Sequence, residues 1–223
     1  MDDYCHFNAS GSGNEDTGQI VVQGLKLAHN DPISILTEEE ILLVKLKGVV
    51  PVMRNLKEFE RLLASDQETI IFLEVRLAQL KPLVAAAKKA GKKVILHADL
   101  IQGLKTDAYG IEYLVREVKP DGIVSTRSNV IALAKKNKLT TIQRLFLLDS
   151  HALEHNLNLI DQVKPDYIEL LPGLIPSIIK EVHERTGIPI IAGGLIRTRE
   201  DIELAYQGGA EAVSTSQAEL WDT

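Results

Sequence analysis

Two turns near the end of the chain carry the residue types best suited to chemistry. One apolar run, Ile190 to Ala192, ends in Gly193-Gly194, and another, Ala212 to Ser214, ends in Thr215-Ser216. Paired glycines let backbone N–H groups approach an anion closely. Hydroxyls at the start of a helix add donors where the helix dipole favours negative charge. Together these four residues predict a phosphate site. The plainer alternative is a sharp Gly-Gly turn and a helix cap made by Ser-Thr-Ser. Further polar residues end other apolar runs: Arg54, Glu74, Arg76, His97, Asp99, Lys105, Arg127, Arg144, Asp149 and Glu169. Carboxylates such as Asp99 and Glu169 accept hydrogen bonds from hydroxyls, and arginines such as Arg127 balance a dianion, so the set suits a small polyol phosphate. The same groups could act as acid, base or electrophile, but no spacing among them forms a catalytic signature. Structural roles compete for several of them: Asp149 as a helix cap, His97 as a partner of a backbone carbonyl, Arg127 as a partner of a nearby carboxylate. The histidines form no metal-ligand pattern, since His151 and His155 lack a third partner, and no metal or cofactor is expected.

The elements that must position these residues can be counted. Short β-branched runs at 49–53, 69–75, 93–98, 122–125, 140–148, 167–171, 189–192 and 211–215 read as eight strands, with amphipathic stretches between them. Such alternation specifies parallel pairing of buried strands. Eight is the count of a closed barrel, and no G-x-G-x-x-G follows the first strand, which sets aside the dinucleotide-binding open sheet. The prediction is an α/β fold, a small TIM-like (β/α)8 barrel over 48–223, whose 176 residues are few for a fold of roughly 250. Residues 1–47 read as an N-terminal extension of unknown role, with a helix start at Thr37 to Glu40. Two linkers, "VKPDG" at 118–122 and "VKPDY" at 163–167, repeat almost letter for letter where a helix stops and a strand begins. In a barrel the C-terminal ends of all strands share one mouth, so the two small-residue turns become neighbours.

Composition narrows the function classes. Hydrophobic residues make up 45% and charged residues 25%, as in a soluble globular protein, and no apolar run approaches the ~20 residues of a membrane span. The first residues lack a basic, apolar leader, and with Cys5 the only cysteine no intrachain disulfide can form, so a cytoplasmic location is expected. A net charge of −6 argues against a generally cationic nucleic-acid binder while leaving room for a local basic patch. Two patches are candidates. Lys88, Lys89, Lys92, Lys93, Lys135, Lys136 and Lys138, with Lys119 and Lys164, fall at helix-to-strand turns on the face opposite the mouth, where offsetting the helix dipole is the favoured explanation and a polyanion surface such as RNA the alternative. Arg76, Lys105, Arg127 and Arg144 form a rival basic surface at the mouth.

The segments "HADLIQGLKTDAYGIEYL", "DGIVSTRSNVI", "TIQRLFLLDS", "DYIELLPGLIP", "IIAGGLIRT" and "VSTSQAELW" closely resemble, in order, the glycerol-3-phosphate-responsive antiterminators of bacteria. The resemblance covers 48–221. It implies a barrel without known chemistry that senses glycerol 3-phosphate and binds the leader of a target mRNA, keeping a terminator from stopping transcription. Residue by residue, Gly193, Gly194, Thr215 and Ser216 match phosphate loops, while Asp99, Arg127 and Glu169 match pocket positions. Arg76, Lys105 and Arg144 are the residues expected to touch RNA. The alternative is a phosphate-binding barrel enzyme, an isomerase, lyase or prenyltransferase-like protein using Asp99 or Glu169 as base. A barrel serving only subunit association is a third, and self-association is left open.

Overall fold

The computed structural model describes residues 43–222. Eight parallel strands close into one barrel in sequence order: β1 (Gly48–Met53), β2 (Thr69–Phe72), β3 (Lys93–His97), β4 (Gly122–Ser125), β5 (Thr140–Phe146), β6 (Tyr167–Leu171), β7 (Ile190–Gly193) and β8 (Ala212–Thr215). Between them run α1 (Phe59–Ala64), α2 (Leu77–Lys89), α3 (Ala108–Tyr113), α4 (Ser128–Lys136), α5 (Ser150–Val163), α6 (Pro176–Thr186) and α7 (Arg199–Gln207). α3 continues as a π-helical turn over Leu114–Val118, and after β8 only a 3-10 turn, Ala218–Leu220, remains. The expected helix start at Thr37 to Glu40 lies outside the described residues.

Alternation along each strand divides the side chains. One set, including Ile70, Phe72, Val94, Leu96, Ile123, Leu170 and Val213, packs outward against the helices with Leu80, Ile111, Val130 and Ile179. The other set, Val50, Val52, Ile71, Leu73, Ile95, Val124, Ile142, Ile191 and Ala212, fills the barrel axis. Val44 and Leu46 join this inner cluster. They are held there because Val44 N–H donates to Thr140 Oγ1 at 2.8 Å and Leu46 N–H to the Tyr167 hydroxyl at 3.1 Å. The N-terminal end of the barrel is thereby plugged with apolar side chains.

The repeated Val-Lys-Pro-Asp linkers do the same work twice. Lys119 and Lys164 adopt left-handed backbone (φ 57° and 46°) and end their helices, and each following proline prevents the helix from continuing. Asp121 then accepts from the Val94 amide and Asp166 from the Thr141 amide, each at 2.8 Å, which fastens the start of β4 to β3 and of β6 to β5. At the opposite end, Trp221 is fully buried, and its indole N–H donates to the Thr215 carbonyl at 3.0 Å. The chain's one tryptophan thus ties the tail to β8.

Candidate functional site

β5 and β6 place Arg144 and Glu169 in register, side by side. Both point into the barrel: the Arg144 side chain is 9% exposed, that of Glu169 is 1% exposed, and Nε lies 2.7 Å from Oε2. The other carboxylate oxygen of Glu169 accepts from Ser214 Oγ of β8 at 2.6 Å. β7 lies between those two strands, and its inward residue is Gly193. A Cβ at Gly193 would stand 2.5 Å from Ser214 Oγ and 2.9 Å from Glu169 Oε1. Only a glycine lets Glu169 reach across β7, so Gly193 is a condition of this network. Its neighbour Gly194 has φ 70°, a conformation that favours glycine and sends the chain away from the barrel axis.

Above the network opens a cavity of about 490 Å³ lined on its polar side by Arg54, Arg144, Glu169, Arg197, Ser214 and Ser216. Apolar walls come from Val52, Leu73, Phe146, Leu148 and Leu171. The Thr215 hydroxyl is committed to the fold: it donates to the Ile196 carbonyl at 3.0 Å and accepts from the Gln217 amide at 3.1 Å. It locks the loop after β7 to the loop after β8, and Ser216 carries the hydroxyl at the rim. A single 3-10 turn follows, so a helix macrodipole adds little here.

A second hollow of about 300 Å³ lies beyond β3 and β4, lined by Asp99, Leu104, Lys105, Thr106, Asp107 and Arg127. Asp99 accepts from Ser125 Oγ at 2.9 and 3.0 Å and from the Thr126 amide at 2.8 Å, which makes it a clasp between the two strand ends. Arg127 Nε stands 3.6 Å from Asp99, its NH1 group donates to Thr106 Oγ1 at 2.7 Å, and Lys105 pairs with Asp107 at 3.1 Å.

The expected site residues therefore divide. Glu169, Gly194, Thr215 and Ser216 line the larger cavity with Gly193 beneath them, while Asp99 and Arg127 belong to the second hollow. Arg144 departs from the expected basic surface: it is buried against Glu169 and belongs to the cavity floor. Arg76 and Lys105 are exposed. Asp149 takes the capping role, accepting from the Ala152 amide at 2.7 Å. Sequence reasoning missed Arg197, whose only signal is its place between the Gly-Gly turn and the capping box that opens α7 at Thr198. His97 ends β3 almost wholly buried, and neither ring nitrogen has a hydrogen-bond partner among the described residues. Burial first, then the charge of Arg144, push its pKa down to about 4, so the ring is neutral near pH 7.

Against this geometry, comparison with known proteins is decisive for the family. The model of the glycerol-3-phosphate responsive antiterminators matches residues 49–221. The chain belongs to that family. Its barrel superposes with TM-score 0.76 on a glycerol uptake operon antiterminator regulatory protein from Listeria monocytogenes, 48% identical, over 78% of this chain and 94% of that one. A glycerol uptake operon antiterminator-related protein from Thermotoga maritima is 27% identical, with TM-score 0.71, over 80% of this chain and 100% of that one. The uncharacterized protein YgcP of Escherichia coli (strain K12) is 30% identical over 179 residues, 80% of this chain and 94% of its own length. Deoxyribose-phosphate aldolase from Aeropyrum pernix shares the fold alone, at 15% identity and TM-score 0.61. No helix among the described residues is long and apolar enough to cross a membrane.

Proposed function

We propose that this protein senses glycerol 3-phosphate in the larger cavity and, with it bound, attaches to the leader of a target mRNA and keeps a terminator from stopping transcription. One observation carries the ligand assignment: a cavity at the C-terminal mouth joins the Gly194 and Ser216 turns to a buried Arg144–Glu169 pair. The phosphate sits at the turns, with Arg54 and Arg197 supplying charge, and the glycerol hydroxyls reach toward Glu169 and Arg144. The apolar walls accommodate the carbon chain, and 490 Å³ holds a molecule of this size with its water.

The polar groups are arranged to hold rather than to react. Glu169 spends one oxygen on Arg144 and the other on Ser214, and Asp99 is held by Ser125 and Thr126. Each carboxylate that could have been a base is thus already engaged by donors of the fold. No described lysine lines the cavity, whereas Schiff-base chemistry on a carbonyl substrate needs one. The work of the site is recognition, in the cytoplasm where the transcript is made.

The test is retention of a transcript of the leader of the source organism's glycerol-utilisation operon, with and without glycerol 3-phosphate, beside a product assay on the same ligand. The expected result is ligand-dependent retention with no turnover. Product formation without RNA retention would replace this reading with the enzyme.

A further inference from the structure

The barrel carries basic side chains at both ends, and the exposed aromatic and apolar side chains that stand with them set the two ends apart. At the N-terminal end three of the lysines are fastened into the fold, while Lys89, Lys93, Lys119, Lys136, Lys138 and Lys164 are exposed and make no ion pair with a described carboxylate. Lys88 pairs with Asp121 at 2.9 Å, Lys92 donates to the carbonyls of Ser65 and Gln67, and Lys135 donates to the Lys164 carbonyl. These bonds tie helix ends to neighbouring turns, the structural use of a cation beside helix C-termini. At the mouth, Arg54, Arg76 and Arg197 follow β1, β2 and β7, are exposed, and likewise make no ion pair with a described carboxylate. Glu58 and Asp201, the carboxylates beside Arg54 and Arg197, accept from those residues' backbone amides at 3.4 and 2.8 Å, which leaves the guanidinium groups turned to solvent.

Exposed apolar side chains gather at the same end. Phe146 is 50% exposed and Leu148 84% after β5, Leu195 is 55% exposed after β7, and Tyr109, 82% exposed, opens α3. Phe146, Leu148 and Leu195 stand on the rim of the ligand cavity. Open aromatic faces interleaved with arginines fit unpaired nucleotides, whose bases stack and whose phosphates take the charge.

We infer that the C-terminal mouth, and not the lysine-bearing end, binds single-stranded parts of the leader RNA, with bases on Phe146 and Tyr109 and phosphates on Arg54, Arg76 and Arg197. This rests on the leader-RNA reading above. Ligand and RNA then share the loops after β1 and β7, so the ligand acts on the RNA contact locally and no signal has to cross the barrel.

The experiment measures affinity for the leader transcript over a salt series at saturating glycerol 3-phosphate, with ligand affinity measured in parallel. Arg76 lies outside the ligand cavity. Arg76→Gln is expected to keep ligand affinity, weaken RNA binding and lower the salt slope by roughly 0.7. Phe146→Ala is expected to weaken RNA binding roughly ten-fold, and Phe146→Trp, which restores a stacking face, to recover it. The Lys89→Gln/Lys136→Gln/Lys138→Gln variant is expected to bind as the wild type does. The inference is overturned if Arg76→Gln and Phe146→Ala bind RNA normally while the lysine variant fails. It is also overturned if Phe146→Ala changes the sedimentation state and leaves RNA affinity intact, which would make the rim a protein contact. A wild-type chain that retains no transcript overturns the leader-RNA reading itself, and this surface with it.

Discussion

Replacing Arg144 by Met isolates the contribution of the buried pair. The substitution keeps length and apolar volume but leaves Glu169 inside the barrel with only Ser214 as a side-chain partner. With Glu169 1% exposed, little water reaches the stranded carboxylate, and losing one partner of such a pair costs about 3–5 kcal/mol. For a domain of this size each kcal/mol lowers the melting temperature by roughly 2–4 °C, so Arg144→Met should melt about 6–20 °C below the wild type. Adding Glu169→Gln removes the stranded charge and should recover more than half of that loss. Both variants should fail to bind glycerol 3-phosphate, because the cavity floor has lost the groups that meet its hydroxyls. Thermal unfolding followed by Trp221 fluorescence, with calorimetric titration of the ligand, separates stability from recognition. A single variant that loses less than about 1 kcal/mol would refute the buried pair as a paired charge. A stable double variant that binds glycerol 3-phosphate normally would refute the floor as the hydroxyl site.

Two further outcomes are expected. Gly193→Ala drives a methyl group to 2.5 Å from Ser214 Oγ and 2.9 Å from Glu169 Oε1, so it should cost about 1–3 kcal/mol in denaturant titration and abolish ligand binding; a variant as stable as the wild type that binds normally would contradict the close approach. His97, facing Arg144, Glu169 and Asp99, is held at about 4 in the folded chain against 6.5 unfolded, so the unfolded state binds the extra proton between those values. Its contribution is complete above pH 6.5 and is lost as pH falls toward 4, to a total of about 3 kcal/mol; His97→Leu should lack that slope, and equal slopes in the two proteins would contradict the assignment.

The barrel was legible because its strands are buried on both faces and therefore read as β-branched runs, each bounded by Gly, Pro or Asp. The repeated Val-Lys-Pro-Asp linkers and the Asp149 cap were legible for a similar reason: their chemistry is local. The site was less so. In Thr140-Thr141-Ile142-Gln143-Arg144-Leu145, every residue is buried, so no polar–apolar alternation tells that Arg144 points inward. Nor does sequence state register, which is what sets Arg144 beside Glu169 and Gly193 beside Ser214. Asp99 and Arg127 end neighbouring strands, as expected. They meet each other in the second hollow because Asp99 is drawn to the Ser125 hydroxyl and the Thr126 amide. Sequence also leaves the two basic surfaces unresolved; the difference lies in the exposed Phe146, Leu148, Leu195 and Tyr109 that stand at the mouth.

The central claim is that a glycerol phosphate occupies the mouth cavity with its phosphate at the Gly194 and Ser216 turns. It is tested most directly by calorimetric titration of glycerol 3-phosphate into the wild type and into Ser216→Asp, which sets a negative charge on the rim without touching the buried network. The account predicts saturable one-site binding to the wild type and none to Ser216→Asp, with the two proteins melting within a few degrees of each other. Equal affinity in both would contradict it.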